Sequence, residues 1–387
     1  MRLLSTRILF GFAAVLLSAN ASLANGDAAP DFTVEIAPPS EALTLARATV
    51  NGSPQLIAVT SYREGIISGV ALTGAPDDPI AAFQSLGFGG LDTLIAEADA
   101  EVETMASDLL MPVALGSLHI AAGTNFPEHA EEATVEEGPF LFTKAVQPTF
   151  GETLTYSDEW LLDYEVELCF VGFQVIDLES PPEHVGLFLC NDFTDRAALL
   201  HHVDPFDIAS GKGFTTGKSA LGFMPIGDLF VIPRDRTSFV PDIELTLYVN
   251  NAERQRAFQR QAIWDFEEIL VQIDQRRDIV WDYRGTPIKL PLEGRTIPLR
   301  TAILGGTPAG TIFQGDISFS LYAKGIFQWL AGGWDKGVVH WVIESVIEDA
   351  KESGEFLQPG DVVAIHADTL GVVVTYISDA DEQSDTP

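Results

Sequence analysis

The sequence predicts an α+β chain whose core is a twisted, mostly antiparallel or mixed sheet. Three observations carry that prediction. Short apolar runs bounded by Gly and Pro recur along most of the 387 residues. Helical apolar spacing is confined to a few stretches. Nothing repeats at a fixed period, which excludes a solenoid or propeller. Apolar residues make up 46% of the chain and charged residues 20%, enough to bury a sizeable core.

Taken in order, residues 1–24 read as a cleaved export signal. Arg2 and Arg7 form a basic start, residues 8–17 a short apolar run, and Ala19-Asn20-Ala21 and Ser22-Leu23-Ala24 offer small-residue cleavage patterns. The run is too short to span a bilayer, so the expected location is periplasmic or secreted. Between residues 33 and 77, LTLARATV, PQLIAVTSY and GIISGVALTG read as strands of a small N-terminal module, assigned to 25–115. Residues 79–111 fit two short helices, 113–122 a strand, and 128–137 a Glu/Ala-rich helix after the turn Gly123-Thr124-Asn125-Phe126-Pro127. Strands then dominate: 161–174 alternates cleanly, and 185–191, 229–232, 243–249 and 297–304 follow, with one helix at 262–275. The aromatic-rich stretch 312–355 carries Trp329, Trp334 and Trp341 and reads as helical in its second half; Asp335, Lys336 and nearby glycines exclude a membrane span there. A last strand at 361–377 precedes a loose polar tail, 379–387.

The charge balance excludes partners more than it selects them. With 56 acidic and 22 basic residues the net charge is −34, a surface that repels phosphate backbones and anionic lipid, so neither nucleic acid nor membrane is an expected partner. The two cysteines, Cys169 and Cys190, admit three readings: a disulfide, soft metal ligands, or small buried hydrophobes, the last being favoured.

The sharpest chemical signal is Glu165-Val166-Glu167 inside a strand pattern, since residues i and i+2 project to one face. Two carboxylates side by side among apolar neighbours need a cation or protons to compensate them. Asp192, at the end of the next strand, is placed to complete a metal trio; the alternative is a solvated edge strand. On the helical stretch, His129 and Glu132 share a face, the arrangement of an oriented general base; the alternative is a solvated histidine on an acidic helix. The loop Gly211-Lys212-Gly213-Phe214-Thr215-Thr216-Gly217-Lys218-Ser219 lacks the spacing of a phosphate-binding loop. His201-His202 and the other histidines show no metal spacing.

The order of these pieces resembles the fumarylacetoacetate hydrolase family. Asn125-Phe126-x-x-His129-x-x-Glu132 is followed by Pro139-Phe140-Leu141-Phe142-x-Lys144, Asp163-Tyr164-Glu165-x-Glu167-Leu168 and Asn191-Asp192-x-Thr194-x-Arg196. Then come Gly217-Lys218-Ser219-x-x-x-Phe223-x-Pro225-x-Gly227, Val249-Asn250-Asn251 with Gln255, Gly306-Thr307-Pro308-Ala309-Gly310 and Leu357-x-Pro359-Gly360-Asp361-Val362. The resemblance implies a β-roll of mixed sheets over 116–378, usually dimeric, holding Mg²⁺ or Mn²⁺, with Ca²⁺ an alternative. It implies Glu165, Glu167 and Asp192 as metal ligands, His129 and Glu132 as the water-activating dyad and Lys218 as a catalytic lysine. Asn125, Lys144, Arg196 and Thr307 are implied as substrate contacts. The implied activity is hydrolysis of a C–C bond in an acylpyruvate-like or fumarylacetoacetate-like diketo acid. Alternatives are decarboxylation, hydration or isomerisation of a 2-keto acid, or ligand binding without turnover. The chain departs from the pattern at Ala197, Leu199, Ala220, Leu221 and Asn251, and carries an insert, 311–355, suited to a lid or a subunit contact.

Overall fold

The computed structural model describes residues 32–379 except 100, 136, 152, 316 and 317. The export signal read at 1–24 and the tail from 380 onward lie outside the described residues. Elements that position the site are β1 (Ala42–Val50), β2 (Ser53–Arg63), β3 (Ile66–Ala71), α1 (Pro79–Glu97), β4 (Glu101–Met105), β5 (His119–Gly123) and α2 (Pro127–Glu132). They continue as β6 (Phe140–Lys144), β7 (Thr153–Thr155), β8 (Val166–Gly172), β9 (Val185–Asn191), α3 (Arg196–His202), α4 (Phe214–Gly217) and β10 (Phe230–Pro233). The C-terminal part adds β11 (Glu244–Val249), β12 (Ala252–Phe258), α5 (Phe266–Arg276), β13 (Ala302–Leu304), α6 (Phe319–Leu330), α7 (Val338–Ser353), β14 (Val362–Ala367) and β15 (Gly371–Ser378).

One eleven-stranded sheet runs β4-β3-β2-β1-β10-β9-β8-β13-β5-β6, with Leu109–Leu110 pairing beside β1. Its neighbours are antiparallel except β13 and β5. The N-terminal strands enter this sheet through β1 and β10, where Leu43 faces Ile232 and Leu45 faces Phe230. A second sheet, β12-β11-β14-β15-β7, packs over the middle of the first. Strand alternation explains the layering. Val166, Leu168 and Phe170 of β8 enter the core shared with β11, β14, β15 and α5. Cys169, Val171, Phe188 and Phe230 enter a second core beneath α1 and α4. Each large aliphatic or aromatic side chain buried there contributes about 1.5–3 kcal/mol of transfer free energy.

The expected elements shift where backbone geometry overrides composition. The Ala/Glu-rich region 79–111 holds a helix broken at Gly87, whose φ of 58° the chain reaches without a Cβ penalty. Its end, however, is strand β4, an edge strand alternating exposed Glu101, Glu103 and Met105 with half-buried Val102 and Thr104. The strand expected at 113–122 begins only at His119. Helix α2 stops at Glu132, short of residue 137, because Thr134 turns to a φ of 55°. Arg300, at φ 68°, divides the strand expected at 297–304. Helix α5 starts at Phe266, where Asp265 caps it by accepting from the Glu268 N–H. Residues 312–355 are helical in both halves, and a turn ahead of Gly371 divides 361–377 into two strands. Cys169 and Cys190, favoured as separate hydrophobes, form a disulfide with Cα atoms 6.0 Å apart. The β8–β9 register sets Glu167 opposite Cys190 and Cys169 opposite Phe188, a diagonal that brings the two sulfurs together.

Candidate active site

The β8–β9 ladder delivers the three carboxylates. Glu167 sits opposite Cys190 on the ladder, and Glu165 immediately precedes β8. The Glu165 carbonyl accepts from the Asp192 N–H at 2.9 Å, and its own N–H donates to Asn191 Oδ1 at 3.0 Å. Glu165, Glu167 and Asp192 are all buried, and each offers an oxygen within 4.8 Å of the others. The solvated-edge alternative fails because β8 lies between β9 and β13.

Three cations crowd the same site. Lys218 Nζ lies 2.7 Å from Glu165 Oε2 and 2.9 Å from Asp192 Oδ2. Lys144 Nζ pairs with Asp192 Oδ1 and donates to the Lys218 carbonyl at 2.5 Å. Arg196 reaches Asp163 Oδ2 and Glu165 Oε1, both at 2.8 Å, and Phe313 covers its guanidinium. Four buried carboxylates therefore face three cations. Glu167 takes the deficit: burial, then Asp192 and Glu165, push its carboxyl well above the ordinary range. Burial opposes ionisation of Glu165 as well, but Lys218, Arg196 and His129 outweigh it and hold that carboxyl below the usual value. For Lys218, burial likewise loses to Asp192 and Glu165, and the ammonium is retained. Two carboxylates about 4 Å apart repel by about 4 kcal/mol at an effective dielectric of ~20. An all-oxygen donor set with one uncompensated charge fits a hard divalent cation.

The dyad stands beside the trio. His129 and Glu132 share one face of α2, with His129 Nδ1 at 3.4 Å from Glu132 Oε2. The Gly310 N–H donates to both Glu132 oxygens at 2.9 Å. Burial raises the Glu132 carboxyl, but His129 and Gly310 outweigh it and keep it ionised. His129 is buried, not solvated as its acidic helix suggested.

The remaining expected residues divide into two kinds. Thr307 accepts from Gln255 Nε2 at 2.9 Å, leaving its hydroxyl proton free for another acceptor. Gln255 Oε1 in turn accepts from the Val166 N–H, tying the Thr307 loop to β8. The Gly306 N–H from that loop donates to Glu167 Oε2 at 2.7 Å. Asn125, expected to touch substrate, spends both amide hydrogens on the Trp264 and Gly305 carbonyls, so it fixes the loop instead. Lys144 and Arg196 are engaged with Asp192, Asp163 and Glu165. Asp163, whose place in the motif carries no role in the sequence, joins the site: its carboxylate accepts from Arg196 and from the Ile312 and Phe313 N–H groups. Its position two residues before Glu165 was the available signal. An open cleft of about 790 Å³ lined by Trp264, Phe266 and Arg260 contains none of the expected residues.

Residues 118–378 match the fumarylacetoacetate (FAA) hydrolase C-terminal family. An uncharacterized protein of Staphylococcus epidermidis is 25% identical over 280 residues, covering 70% of this chain and 72% of that protein. An uncharacterized protein of Staphylococcus aureus is 24% identical over the same span. Among solved structures, a fumarylacetoacetate hydrolase from Exiguobacterium antarcticum superposes with a TM-score of 0.53 at 20% identity, covering 87% of this chain and 99% of that chain. A 2-hydroxyhepta-2,4-diene-1,7-dioate isomerase from Mycobacterium marinum gives 0.50 at 16% identity, with the same coverage of both chains. At these identities the likeness shows the shared strand-rich α/β fold.

Proposed function

Since the chain belongs to the fumarylacetoacetate hydrolase family, we propose that it hydrolyses a C–C bond in an acylpyruvate-like or fumarylacetoacetate-like diketo acid. The observation that carries this reading is the His129–Glu132 pair locked by Gly310 beside a buried carboxylate trio. Decarboxylation breaks its C–C bond without a general base, whereas hydrolysis needs one to deprotonate water.

Glu165, Glu167 and Asp192 would hold Mg²⁺, Mn²⁺ or Ca²⁺, which when bound supplies Lewis acidity toward the 2-oxo-carboxylate end of a substrate. The protein's own groups do the rest. Glu132 faces Nδ1 of His129, so Nε2 is the atom left to accept a proton from water. The resulting hydroxide adds to the carbonyl carbon at the scissile bond, the C–C bond breaks, and its electron pair passes to the enolate of the departing keto acid, which is pyruvate when the substrate is an acylpyruvate. That carbanion takes the proton back from His129, so the step balances as one water consumed and two acids released. Lys218 and Arg196 place fixed positive charge where the enolate develops, an electrostatic aid that needs no reorganisation. Thr307 offers a hydroxyl to a substrate oxygen.

We place the enzyme outside the cytoplasm, on the strength of its first 24 residues and the Cys169–Cys190 disulfide, and as a homodimer. The test is product analysis on acetylpyruvate, fumarylacetoacetate and oxaloacetate with Mg²⁺, Mn²⁺ or EDTA. Pyruvate and acetate from acetylpyruvate, lost in EDTA, support the hydrolase. Pyruvate and CO₂ from oxaloacetate with inert diketo acids select the decarboxylase, and metal uptake without any turnover selects the binder.

A further inference from the structure

The sequence shows no metal spacing among its histidines, yet the fold assembles a cluster with ligand geometry separate from the carboxylate trio. His201, in the last turn of α3, meets His340 and Glu344, which lie one turn apart on α7. Glu344 Oε1 is 3.8 Å from His201 Nδ1 and 3.6 Å from His340 Nε2. One ligand atom from each of the three lies within 4.8 Å of the others. In a tetrahedral zinc site with bonds near 2.0–2.1 Å, neighbouring ligand atoms are about 3.3–3.4 Å apart. The two pairs with Glu344 therefore need to close by only a few tenths of an ångström, and the two imidazoles by no more than about 1.5 Å. All three side chains are partly open to solvent, leaving room for a water ligand. His340 packs edge-on against Trp341, which orients its ring, whereas His202 turns away to bond the Ala198 carbonyl of its own helix.

We propose that His201, His340 and Glu344 form a second metal site, for Zn²⁺ or a similar first-row ion, that clamps the α6–α7 hairpin onto α3. The donor chemistry sorts the two sites. Two imidazoles and one carboxylate suit zinc, whereas the all-oxygen trio suits a hard ion. The clamp acts on elements that matter. Helix α3 begins with Arg196, which pairs with Glu165, and the root of the hairpin holds Asp163 through the Ile312 and Phe313 N–H groups. Beneath the proposed ion, Ile347 of α7 packs with Ala197 of α3, Leu161 and Phe356 in a small satellite core. The inference rests on residues outside the trio and the dyad and stands whichever reaction the enzyme performs.

The test titrates Co²⁺ into the full-length mature protein, free of any added histidine tag, with Mg²⁺ in large excess to hold the trio. We expect one further equivalent of Co²⁺ with visible ligand-field absorption, displaced by Zn²⁺. That equivalent is lost in His201→Ala and His340→Ala and kept in His202→Ala. Amide exchange across residues 338–353 slows on Zn²⁺ addition in the wild type and not in His340→Ala. Co²⁺ uptake that is absent, or unchanged in both histidine variants, overturns the site. Uptake lost in those variants without any change in exchange overturns the clamp.

Discussion

The carboxylate trio and the α6–α7 hairpin lie close together and are built on opposite terms. The trio sits on and at the adjoining ends of two fully buried strands, β8 and β9, cross-linked by Cys169–Cys190 and locked at Glu167 by the Gly306 N–H. The hairpin buries only Gly325 of α6 and Val342, Ser345 and Ile347 of α7. It leaves Phe319 86%, Phe327 71% and Trp334 72% exposed. A charged constellation must be held against its own repulsion, and a sheet interior does so because neither strand can move without breaking a ladder on both sides. A hairpin with so little buried surface is stabilised chiefly at its root and, in our reading, by the His201–His340–Glu344 clamp. Rigid chemistry and adjustable cover are thus divided between sheet and insert.

The sharpest way to break this contrast is to empty the trio. Glu165→Ala takes from Lys218 and from Arg196 one of the two carboxylates that each holds, which costs up to about 3–5 kcal/mol of folding stability, and it removes Mn²⁺ uptake measured by calorimetry. Uptake at wild-type strength would place the ion elsewhere. A pair of phenylalanines tests the packing half. Phe188→Ala, in the core beneath β9, should cost about 3–5 kcal/mol in urea unfolding. Phe327→Ala, on the open face of α6, should change stability by less than about 0.5 kcal/mol. Equal effects would mean that the hairpin face is covered in solution.

A smaller effect comes from His119 on β5. Burial, then Lys144, lowers its pKa from 6.5 to about 4, and its Nδ1 accepts from the Ala302 N–H. The imidazole is neutral in the fold and free to protonate in the unfolded chain. Stability is therefore present above pH 6.5 and is lost as pH falls toward 4, by about 2 kcal/mol between pH 7 and 5. His119→Asn, which keeps an acceptor, should remove that part of the pH slope in urea unfolding; an unchanged slope would show that His119 is protonated in the fold.

Much of the site was legible because its signals are local. Glu165 and Glu167 share a face by strand alternation, and His129 and Glu132 by helical spacing. Ordered resemblance linked the two groups across the chain. What stayed hidden was long-range. Nothing near Asp163 announces that backbone N–H groups some 150 residues away will bind it, and His201 gives no hint of His340. The Asn125 amide illustrates the same limit: a polar residue in a motif reads as a substrate contact until its backbone partners are known. Element limits failed where single residues took positive φ, as at Thr134 after a helix and Arg300 within an expected strand, because composition carries little information about such turns.

The most direct test compares wild type and His129→Ala on acetylpyruvate at saturating Mg²⁺, measuring kcat together with Mn²⁺ affinity. The hydrolytic account predicts a kcat lower by about 10²–10⁴-fold, the range for loss of a general base, with Mn²⁺ affinity unchanged. A variant that turns over acetylpyruvate at the wild-type rate would contradict the account, because the proton would then be taken by a group other than the dyad.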